Sequence, residues 1–326
     1  MTLILQAAEV AEILTLDEVR EAVKSGMMEQ AGGHVQLPPR LTIDAASGHG
    51  WMRLMPAILN QSKVMGFKAM HSTPGVGVRY VVMLYDLESG DLLAVIDADW
   101  LTSRRTAATA ALGADVLARP SASTAGVLGS SEQARAMLSA VARVRRLRRV
   151  KIYSPTPEHR QRFAAEMSGN LGLEVIAVDD ARRAFEESEI VVSIFRAGRE
   201  PLILSEWIEP GTHLHAASSV RLDARELDDG VWRKSDLVAV DDLTHALECG
   251  DGVSAMASHA LRREEVLGIW EVLGNSKPGR RRAEDITLFK AVGTGLQDLA
   301  VAAAMYRRAR DRGCGTEIAD FPRARR

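Results

Sequence analysis

The N-terminal part of the chain combines helical patterns with apolar segments that are typical of strands. Between residues 8 and 31 apolar side chains recur every three or four positions, which predicts an amphipathic helix. The segments "GWMRLMPAIL", "VMGFKAM" and "VRYVVMLYDLESGDLLAVIDADW", within residues 50–100, are typical of strands and turns, and Ser89-Gly90 in "YDLESGDLLAVID" predicts a hairpin turn. The alanine-rich segment 101–119 returns to the helical period. This part of the chain is therefore predicted to form an α+β domain.

Beyond residue 120 the pattern changes to short apolar runs separated by amphipathic segments. Four of these runs are "TAGVLG", "RVKIYS", "LEVIAV" and "IVVSIF". Strands that alternate with helices predict a parallel sheet with helices on both faces, which is a Rossmann-type doubly wound fold. The last helical segment, 296–326, has an apolar and alanine face that fits packing against the first domain or a partner subunit. We therefore predict a domain at 1–119, completed by 296–326, and an inserted doubly wound domain at 120–295.

Composition narrows the class of protein without defining a function. The 326 residues carry a net charge of -2, which gives no reason to expect nucleic acid or a membrane as a partner. The N-terminus lacks the basic region of a secretory signal, and Glu9 and Glu12 interrupt its apolar run. Cys249 and Cys314 form neither a disulfide framework nor a metal-binding set. We therefore expect a cytoplasmic protein without a metal.

The segment "STAGVLGSSEQARAML", residues 123–138, is similar to the phosphate-binding turn of a dinucleotide fold. An apolar run ends at Leu128, Gly129 follows, and then a helical pattern begins. The fingerprint has a second glycine two positions later, but here that position is Ser131. Serine is small, and a helix N-terminus attracts anions, although Glu132 is unfavourable beside a diphosphate. The turn indicates a modified cofactor site, with an ordinary strand–turn–helix as the alternative.

Eight segments, in order along the chain, resemble the ornithine cyclodeaminase and mu-crystallin family. They are "LPPRLTI", "MPAIL", "MGFKAM", "LTSRRTAATAALGADVLARP", "GVLGSSEQA", "PGTHLHAASS", "DARELD" and "DITLFKAVGTGLQDLA", and they cover nearly the whole chain. The resemblance implies a substrate-binding and dimerisation domain with an inserted Rossmann-type domain that binds a nicotinamide cofactor. Members cyclise ornithine or lysine with release of ammonia, reduce cyclic imines, or interconvert 2-oxo acids and amino acids. Mu-crystallin also binds a thyroid hormone.

The resemblance distributes the cofactor contacts over several loops. The expected cofactor-binding residues are Arg105, Thr106, Gly129, Ser130, Ser131, Gln133, Ser154, Thr156, Arg160, Ser193, Ala217, Lys290 and Gly293. NAD-preferring sites usually have an acid after the second strand, and "VKIYSPTPEHR" has none at that place. Ser154, Thr156, His159 and Arg160 are candidates to surround a 2′-phosphate. We therefore expect NAD(P)H with a preference for NADP, and Glu158 leaves NAD open.

Lys68, in the apolar segment "GFKAM", is the predicted catalytic residue. Burial would lower its pKa and suit it to proton transfer, whereas a lysine that reaches solvent from a strand edge is the alternative. The resemblance implies that Lys68 binds the substrate carboxylate and moves protons at the amine or imine. It also implies that Arg40 and Arg105 bind the carboxylate, for which a guanidinium is well shaped. Arg104 is the adjacent alternative to Arg105.

Two departures from the family bear on the substrate. In cyclodeaminases the loop after "GTHLHAASS" continues into an aspartate that accepts the substrate amine proton, and the aligned residue here is Val220. Asp223 follows three residues later, in a segment that matches the family's next helix. The segment "HSTPGVGVRYVVML" also departs from its relatives. In it Arg79 is a candidate for binding a second carboxylate, as in a dicarboxylic imino acid, with the solvent side of a strand as the alternative.

We therefore predict an NAD(P)H-dependent imine reductase or amino-acid dehydrogenase that acts on a small 2-imino or 2-oxo acid, with Lys68 as proton donor. One alternative is an ornithine cyclodeaminase that uses Asp223 or another acid. Another is a non-catalytic protein that binds a cofactor or small ligand in the manner of mu-crystallin. We also predict a homodimer whose interface belongs to the first domain, with the helix face around Ala303 as a candidate contact.

Overall fold

The computed structural model describes residues 1–46, 48–319 and 321, and the chain divides into two compact units. Unit 1 comprises Met1–Arg105 and Thr294–Arg326, and unit 2 comprises Thr106–Gly293. The division between the units falls inside the alanine-rich helix, whereas the sequence pattern predicts a domain boundary after residue 119. Part of the predicted C-terminal helix, at 320 and 322–326, lies outside the described residues.

The elements are numbered in chain order. The strands are β1 (Thr2–Leu5), β2 (Val35–Gln36), β3 (Leu41–Asp44), β4 (Trp51–Leu59), β5 (Val64–Thr73), β6 (Gly77–Asp86), β7 (Leu92–Asp97), β8 (Thr124–Leu128), β9 (Arg149–Tyr153), β10 (Glu174–Val178), β11 (Ile190–Ser193), β12 (His213–Ala216), β13 (Leu237–Val240), β14 (Val266–Gly268), β15 (Thr287–Lys290) and β16 (Thr316–Ile318). The α-helices are α1 (Ala7–Ile13), α2 (Leu16–Ala31), α3 (Asp99–Leu117), α4 (Glu132–Val144), α5 (Pro157–Leu171), α6 (Asp229–Lys234), α7 (Leu243–Glu248), α8 (Gly250–Ala257), α9 (Ile269–Leu273) and α10 (Gly295–Arg312).

Unit 1 is a mostly antiparallel sheet with helices packed on it. The strand order is β16-β1-β7-β6-β5-β4-β2, and β3 also pairs with β4. Among the described residues β1 and β7 pair in parallel, and the other pairs are antiparallel. Helix α10 packs on α2 and on β4, β5 and β6. Ala303 is 2% exposed in this packing. The alanine face of α10 therefore packs within the chain, which corrects its assignment as a candidate contact with a partner.

Helix α10 is shorter than the predicted segment 296–326. It ends at Arg312, because Gly313 takes the left-handed conformation (φ 65°) and its N–H bonds the carbonyls of Ala309 and Arg310. The chain then returns as β16, which pairs antiparallel with β1. The last described residues thus extend the sheet of unit 1 instead of continuing the helix.

Unit 2 is the doubly wound domain that the alternation predicts, so the predicted fold class is confirmed. All eight strands are parallel, in the order β10-β9-β8-β11-β12-β15-β13-β14. The chain moves outward from β8 to β10 and then crosses to β11 on the other side of β8. This reversal between β8 and β11 is where doubly wound sheets bind nucleotides, beyond the carboxyl ends of the strands. In the described part of the chain no helix has the length and apolar character that crossing a membrane requires.

Candidate active site

Lys68 lies in the middle of β5, on the face of the unit 1 sheet that α10 covers. It is opposite Met55 of β4 and Val82 of β6, and its side chain is only 1% exposed. Its Nζ lies 2.9 Å from Oδ2 and 3.0 Å from Oδ1 of Asp298 on α10. The lysine is thus buried against a carboxylate, and the alternative of a side chain reaching solvent from a strand edge is not observed.

Asp298 connects Lys68 to Arg105, the last residue of unit 1 before the division. The Nε of Arg105 donates to Asp298 Oδ1 at 2.9 Å, and its Nη1 donates to Gln297 Oε1 at 2.9 Å. Asp298 lies in the first turn of α10, where the helix dipole stabilises a negative charge. A Cβ on Gly295 would lie 2.6 Å from the carbonyl oxygens of Met55 and Pro56. Glycine therefore allows α10 to begin directly on β4, which brings Asp298 to Lys68.

The surroundings of Lys68 make its proton labile near neutral pH. Burial lowers the pKa of Lys68 to about 7, because the cost of desolvating the ammonium exceeds the attraction of Asp298. The positive charges of Arg105 and Arg40 lower this pKa further. The Lys68 Nζ lies 5.8 Å from the centre of the Tyr80 ring, and burial raises the pKa of the Tyr80 hydroxyl. Lys68 can therefore exchange a proton at neutral pH, which general acid–base catalysis requires.

Arg79 lies on the opposite face of the sheet from Lys68. It is opposite His71 on β5, whereas Tyr80 is opposite Met70. Successive side chains of a strand point to opposite faces, so Tyr80 faces Lys68 and the exposed Arg79 does not. The prediction that Arg79 binds substrate is therefore corrected in favour of its solvent-side alternative. Arg104 stacks over the Trp100 ring at 5.5 Å.

Three polar residues near Lys68 were not predicted from the sequence. Gln297 and Asp298 belong to the quoted "GLQDLA" segment, but the sequence gives no sign that they meet Lys68 and Arg105. Arg53 is opposite Met70 on β5 and so shares the face of Lys68. The signal that could have found Arg53 is the strand alternation itself, counted from the Met55–Lys68 pair.

The turn at Gly129, in unit 2, has the backbone geometry of a phosphate-binding loop. Gly129 has a φ of +112°, and a Cβ there would lie 2.1 Å from the Ile194 carbonyl oxygen, so only glycine fits. Ser131 is the N-cap residue of α4, and its side chain accepts from the Ala134 N–H at 3.3 Å. Ser131 thus starts the helix in place of the second glycine, and the N-terminus of α4 follows it.

A cavity of about 650 Å³ lies at the switch point of the unit 2 sheet. It is lined by Leu128, Gly129, Ser130, Ser131, Tyr153, Ser154, Pro155, His159, Arg162, Ile194, Phe195, Arg196, Gly198, Glu200 and Leu202. These residues follow the carboxyl ends of β8, β9 and β11, the position in which this fold holds a dinucleotide. The volume is typical of a cofactor pocket. The residues present therefore fit a nicotinamide dinucleotide.

The loop after β9 departs from the sequence-based assignment. Arg160 Nη1 donates to the carbonyls of Ser154 at 3.0 Å and Pro155 at 3.3 Å, so Arg160 holds the loop together. His159 and Arg162, one helical turn apart on α5, line the cavity instead. Thr156 is the N-cap residue of α5 and is not among the lining residues. Arg162 lines the cavity although no motif of the sequence singles it out.

Ser193 and Lys290 lie in a fully buried ionic cluster of unit 2. Lys290 Nζ lies 2.8 Å from the Glu226 carboxylate and 2.9 Å from that of Asp251, and all three side chains are 0% exposed. Burial alone would lower the pKa of Lys290, but the charges of Glu226 and Asp251 prevail and raise it. Ser193 Oγ donates to Glu226. The assignment of Lys290 and Ser193 as cofactor contacts is therefore corrected, because these groups are enclosed by protein.

Four other predicted cofactor residues lie outside the lining of the 650 Å³ cavity. Thr106 is buried in α3, and Gln133 is in the first turn of α4. The Ala217 N–H donates to the Ser193 carbonyl at 3.1 Å, and the Gly293 N–H donates to Asp241 at 2.8 Å. Their cofactor contacts remain predictions.

The loop that carries Val220 has no acid in the place of the cyclodeaminase aspartate. The Val220 carbonyl accepts from His245 Nε2 at 3.1 Å. Asp223 is exposed and bonded to Arg221 at 2.7 and 3.1 Å, which lowers the pKa of Asp223. Val220 and Asp223 line a second cavity of about 520 Å³. Asp223 is thus held as an ion pair, where it is a poor base.

A doubly wound nucleotide-binding unit, together with a buried lysine beside guanidiniums, defines a nicotinamide-dependent oxidoreductase. The comparisons with known proteins agree. The model of the Ornithine cyclodeaminase/mu-crystallin family matches residues 1–313, so the chain belongs to this family. The resemblance found in the sequence is thereby confirmed.

Two relatives and two solved structures show how broad the similarity is. Alanine dehydrogenase of Archaeoglobus fulgidus is 32% identical over 98% of this chain and 99% of its own length. Ketimine reductase mu-crystallin of Mus musculus is 29% identical over 88% of this chain and 89% of its own length. Thermococcus litoralis Delta(1)-pyrroline-2-carboxylate reductase, in complex with NADH and L-proline, has a TM-score of 0.92 at 32% identity and covers 97% of this chain and 100% of its own. An archaeal alanine dehydrogenase dimer with bound NAD has a TM-score of 0.91 at 32% identity, and the match covers 98% of this chain and 99% of its own.

Proposed function

We propose that this chain is an NAD(P)H-dependent reductase of a small 2-imino acid. With ammonia it would act on the corresponding 2-oxo acid as an amino-acid dehydrogenase. The observation that carries the proposal is the buried Lys68, whose pKa of about 7 places it between its charged and neutral forms beside Asp298, Arg105 and Arg40. Two relatives described above carry reductase names and two are alanine dehydrogenases, which supports the same chemistry.

The reaction adds a hydride and a proton across a C=N bond. The imine, NAD(P)H and H⁺ give the amine and NAD(P)⁺. A bound nicotinamide supplies the hydride to the imine carbon. Lys68 gives a proton to the imine nitrogen and regains one from solvent, while Asp298 holds the ammonium in position. Arg40 and Arg105 bind the substrate carboxylate, and Gln297 and Asp298 fix the plane of the Arg105 guanidinium.

Reduction fits the site better than cyclodeamination. Val220 accepts no proton, and Asp223 is engaged by Arg221. The direct test is an assay of NAD(P)H oxidation with cyclic imino acids and with 2-oxo acids plus ammonium. Turnover that is lost in Lys68→Met supports the proposal. Proline and ammonia formed from ornithine, and abolished by Asp223→Asn, would instead establish a cyclodeaminase. Micromolar cofactor binding with no turnover would support a binding protein.

We infer a preference for NADPH over NADH. The residues that line the cavity after β9 are Tyr153, Ser154 and Pro155, none of which is an acid, and Arg162 provides a positive charge at this end. Fluorescence titration of NADPH and NADH tests the inference without turnover. Arg162→Glu should weaken NADPH binding at least about tenfold and leave NADH within twofold. Gln161→Glu, which introduces the same carboxylate at an exposed neighbouring position on α5, should change neither.

We also infer a homodimer that forms through the outer face of the unit 1 sheet. This face, opposite Lys68, presents four large exposed apolar side chains: Leu41 at 52%, Ile43 at 53%, Met52 at 49% and Val81 at 36%. A contiguous apolar surface of this kind is typical of a protein interface. The free thiols of Cys249 and Cys314 support a cytoplasmic location.

A further inference from the structure

Two lysines of the chain are fully buried, and the charges around them differ. In unit 2, Lys290 contacts the carboxylates of Glu226 and Asp251, so two negative charges surround one positive charge. In unit 1, Lys68 contacts the carboxylate of Asp298, and Arg105 donates to the same carboxylate. Lys68 therefore shares its counter-charge with a second cation, whereas Lys290 has more counter-charge than it needs.

The charge balance around Lys68 favours its neutral amine. The Lys68 ammonium, the Arg105 guanidinium and the Asp298 carboxylate sum to a charge of +1 among buried groups, whereas the amine form sums to zero. Burial and these charges lower the pKa of Lys68 to about 7, so about half of it is uncharged at neutral pH. The carboxylates around Lys290 raise the pKa of that lysine instead. A desolvated lysine beside another cation is the kind that attacks carbonyl carbons.

The geometry of the Lys68–Asp298 pair leaves one direction for such an attack. Three positions surround the Lys68 nitrogen besides its bond to carbon, and the contacts to Oδ2 and Oδ1 of Asp298, at 2.9 and 3.0 Å, take two of them. The third position points away from the carboxylate, and in the amine form it is the lone pair. Asp298 thus holds both N–H groups and is in place to accept a proton when the nitrogen forms a bond to carbon.

We propose that Lys68 is also a nucleophile, which forms a transient covalent imine with the carbonyl carbon of a 2-oxo acid and transfers that carbon to ammonia. The proposal rests on the amino-acid dehydrogenase function proposed above, for which it supplies the 2-imino acid. The Lys68 amine adds to the carbonyl carbon, and the carbonyl oxygen leaves as water. Ammonia then adds to the same carbon, and the Lys68 amine leaves. In sum, a 2-oxo acid and ammonia give a 2-imino acid and water, without oxidation or reduction.

Trapping the covalent imine tests the proposal without cofactor. The protein is incubated with excess pyruvate and sodium cyanoborohydride, which reduces imines, and is then digested for peptide mass spectrometry. Lys68 should carry the reduced pyruvate at least about tenfold more than Lys63, an exposed lysine of the same unit whose pKa is raised by Glu88. Lys290 should stay unlabelled, and propionate, which has a carboxylate but no carbonyl, should protect Lys68. Absence of label at Lys68, or equal labelling of Lys68 and Lys63, overturns the proposal.

Ammonium distinguishes an intermediate from a side reaction. With pyruvate in large excess, ammonium chloride should lower the labelling of Lys68 more than potassium chloride at the same concentration, because ammonia displaces the Lys68 amine. Equal labelling in the two salts overturns the transfer to ammonia. Labelling that is sensitive to ammonium, without any oxidation of NAD(P)H, leaves the imine chemistry standing and refutes the reductase. Turnover of pyruvate plus ammonium by a protein whose Lys68 stays unlabelled supports the reductase and overturns the covalent imine.

Discussion

Replacing Lys68 with methionine should change the free energy of unfolding by an amount that depends on pH. Methionine keeps the length of the side chain and removes a charge that is 1% exposed. Burial lowers the pKa of Lys68 from 10.5 to about 7. Each unit of that shift corresponds to about 1.4 kcal/mol of free energy of unfolding. Protonating Lys68 therefore costs about 5 kcal/mol more in the folded chain than in the unfolded chain.

The sign of the pH dependence follows from where the proton is. Below pH 7 both the folded and the unfolded chain carry the proton on Lys68, so the free-energy cost of the buried ammonium is fully present and does not change with pH. Between about pH 7 and 10.5 only the unfolded chain carries it, so the free energy of unfolding of the wild type rises with pH. The free energy of unfolding of Lys68→Met minus that of the wild type should therefore fall by about 1.4 kcal/mol per pH unit over this window.

Urea unfolding at pH 6, 7, 8 and 9 measures this difference. Trp51 and Trp100 lie in unit 1 and report on it by fluorescence. Subtracting the free energy of unfolding of the wild type from that of the variant cancels the titration of the groups that the substitution leaves unchanged. Lys63→Met, at an exposed lysine of the same unit, is the control and should give a flat difference. A flat or growing difference for Lys68→Met would refute the low pKa of Lys68.

Three further predictions follow from the same geometry. The value of kcat/KM for imine reduction should fall about tenfold per pH unit above pH 7, because the free enzyme must carry the proton on Lys68; a rate that stays constant to pH 9 would exclude Lys68 as the donor. Gly129→Ala should abolish NADPH binding in fluorescence titrations while the far-ultraviolet circular dichroism stays unchanged, since its Cβ would lie 2.1 Å from the Ile194 carbonyl oxygen; tight binding by this variant would disprove the assigned turn. Met52→Asp should convert a dimer into a 35.4 kDa monomer in light scattering and leave cofactor binding intact, whereas Ile176→Asp, an exposed apolar position of unit 2, should leave the dimer; a Met52→Asp dimer would move the interface elsewhere.

The sequence predicted the elements whose signal is local. The short apolar runs beyond residue 120 specify a parallel sheet because several of them alternate with helical segments, and Gly129 marks the turn because no other residue fits its backbone. Lys68 stands out because a charge in an apolar strand must be buried with a partner or reach solvent. These inferences need only neighbours in the chain.

The remaining site residues depend on geometry that a local pattern does not contain. Asp298 lies 230 residues from Lys68 in the chain, and only the packing of α10 on β5 brings the two together. Arg53 and Arg79 lie on opposite faces of the unit 1 sheet, because successive side chains of a strand alternate between the two faces. A shift of one residue in the predicted strand register would exchange these faces. Arg160 and Arg162 are two residues apart on α5, so their side chains leave the helix in different directions. Lys290 resembles a cofactor ligand until Glu226 and Asp251 are seen to enclose it.

Hydride transfer to the imine carbon is the central claim, and isotope transfer measures it directly. The protein is incubated with NADPH that carries deuterium at C4 of the nicotinamide, and separately with Δ1-pyrroline-2-carboxylate and with oxaloacetate plus ammonium. Mass spectrometry of the amino acid products then locates the label. One deuterium at the α-carbon of the product, strongly reduced in amount by Lys68→Met, is the expected result. Failure of cofactor-loaded protein to form any labelled amino acid from either substrate would contradict the proposed reductase activity.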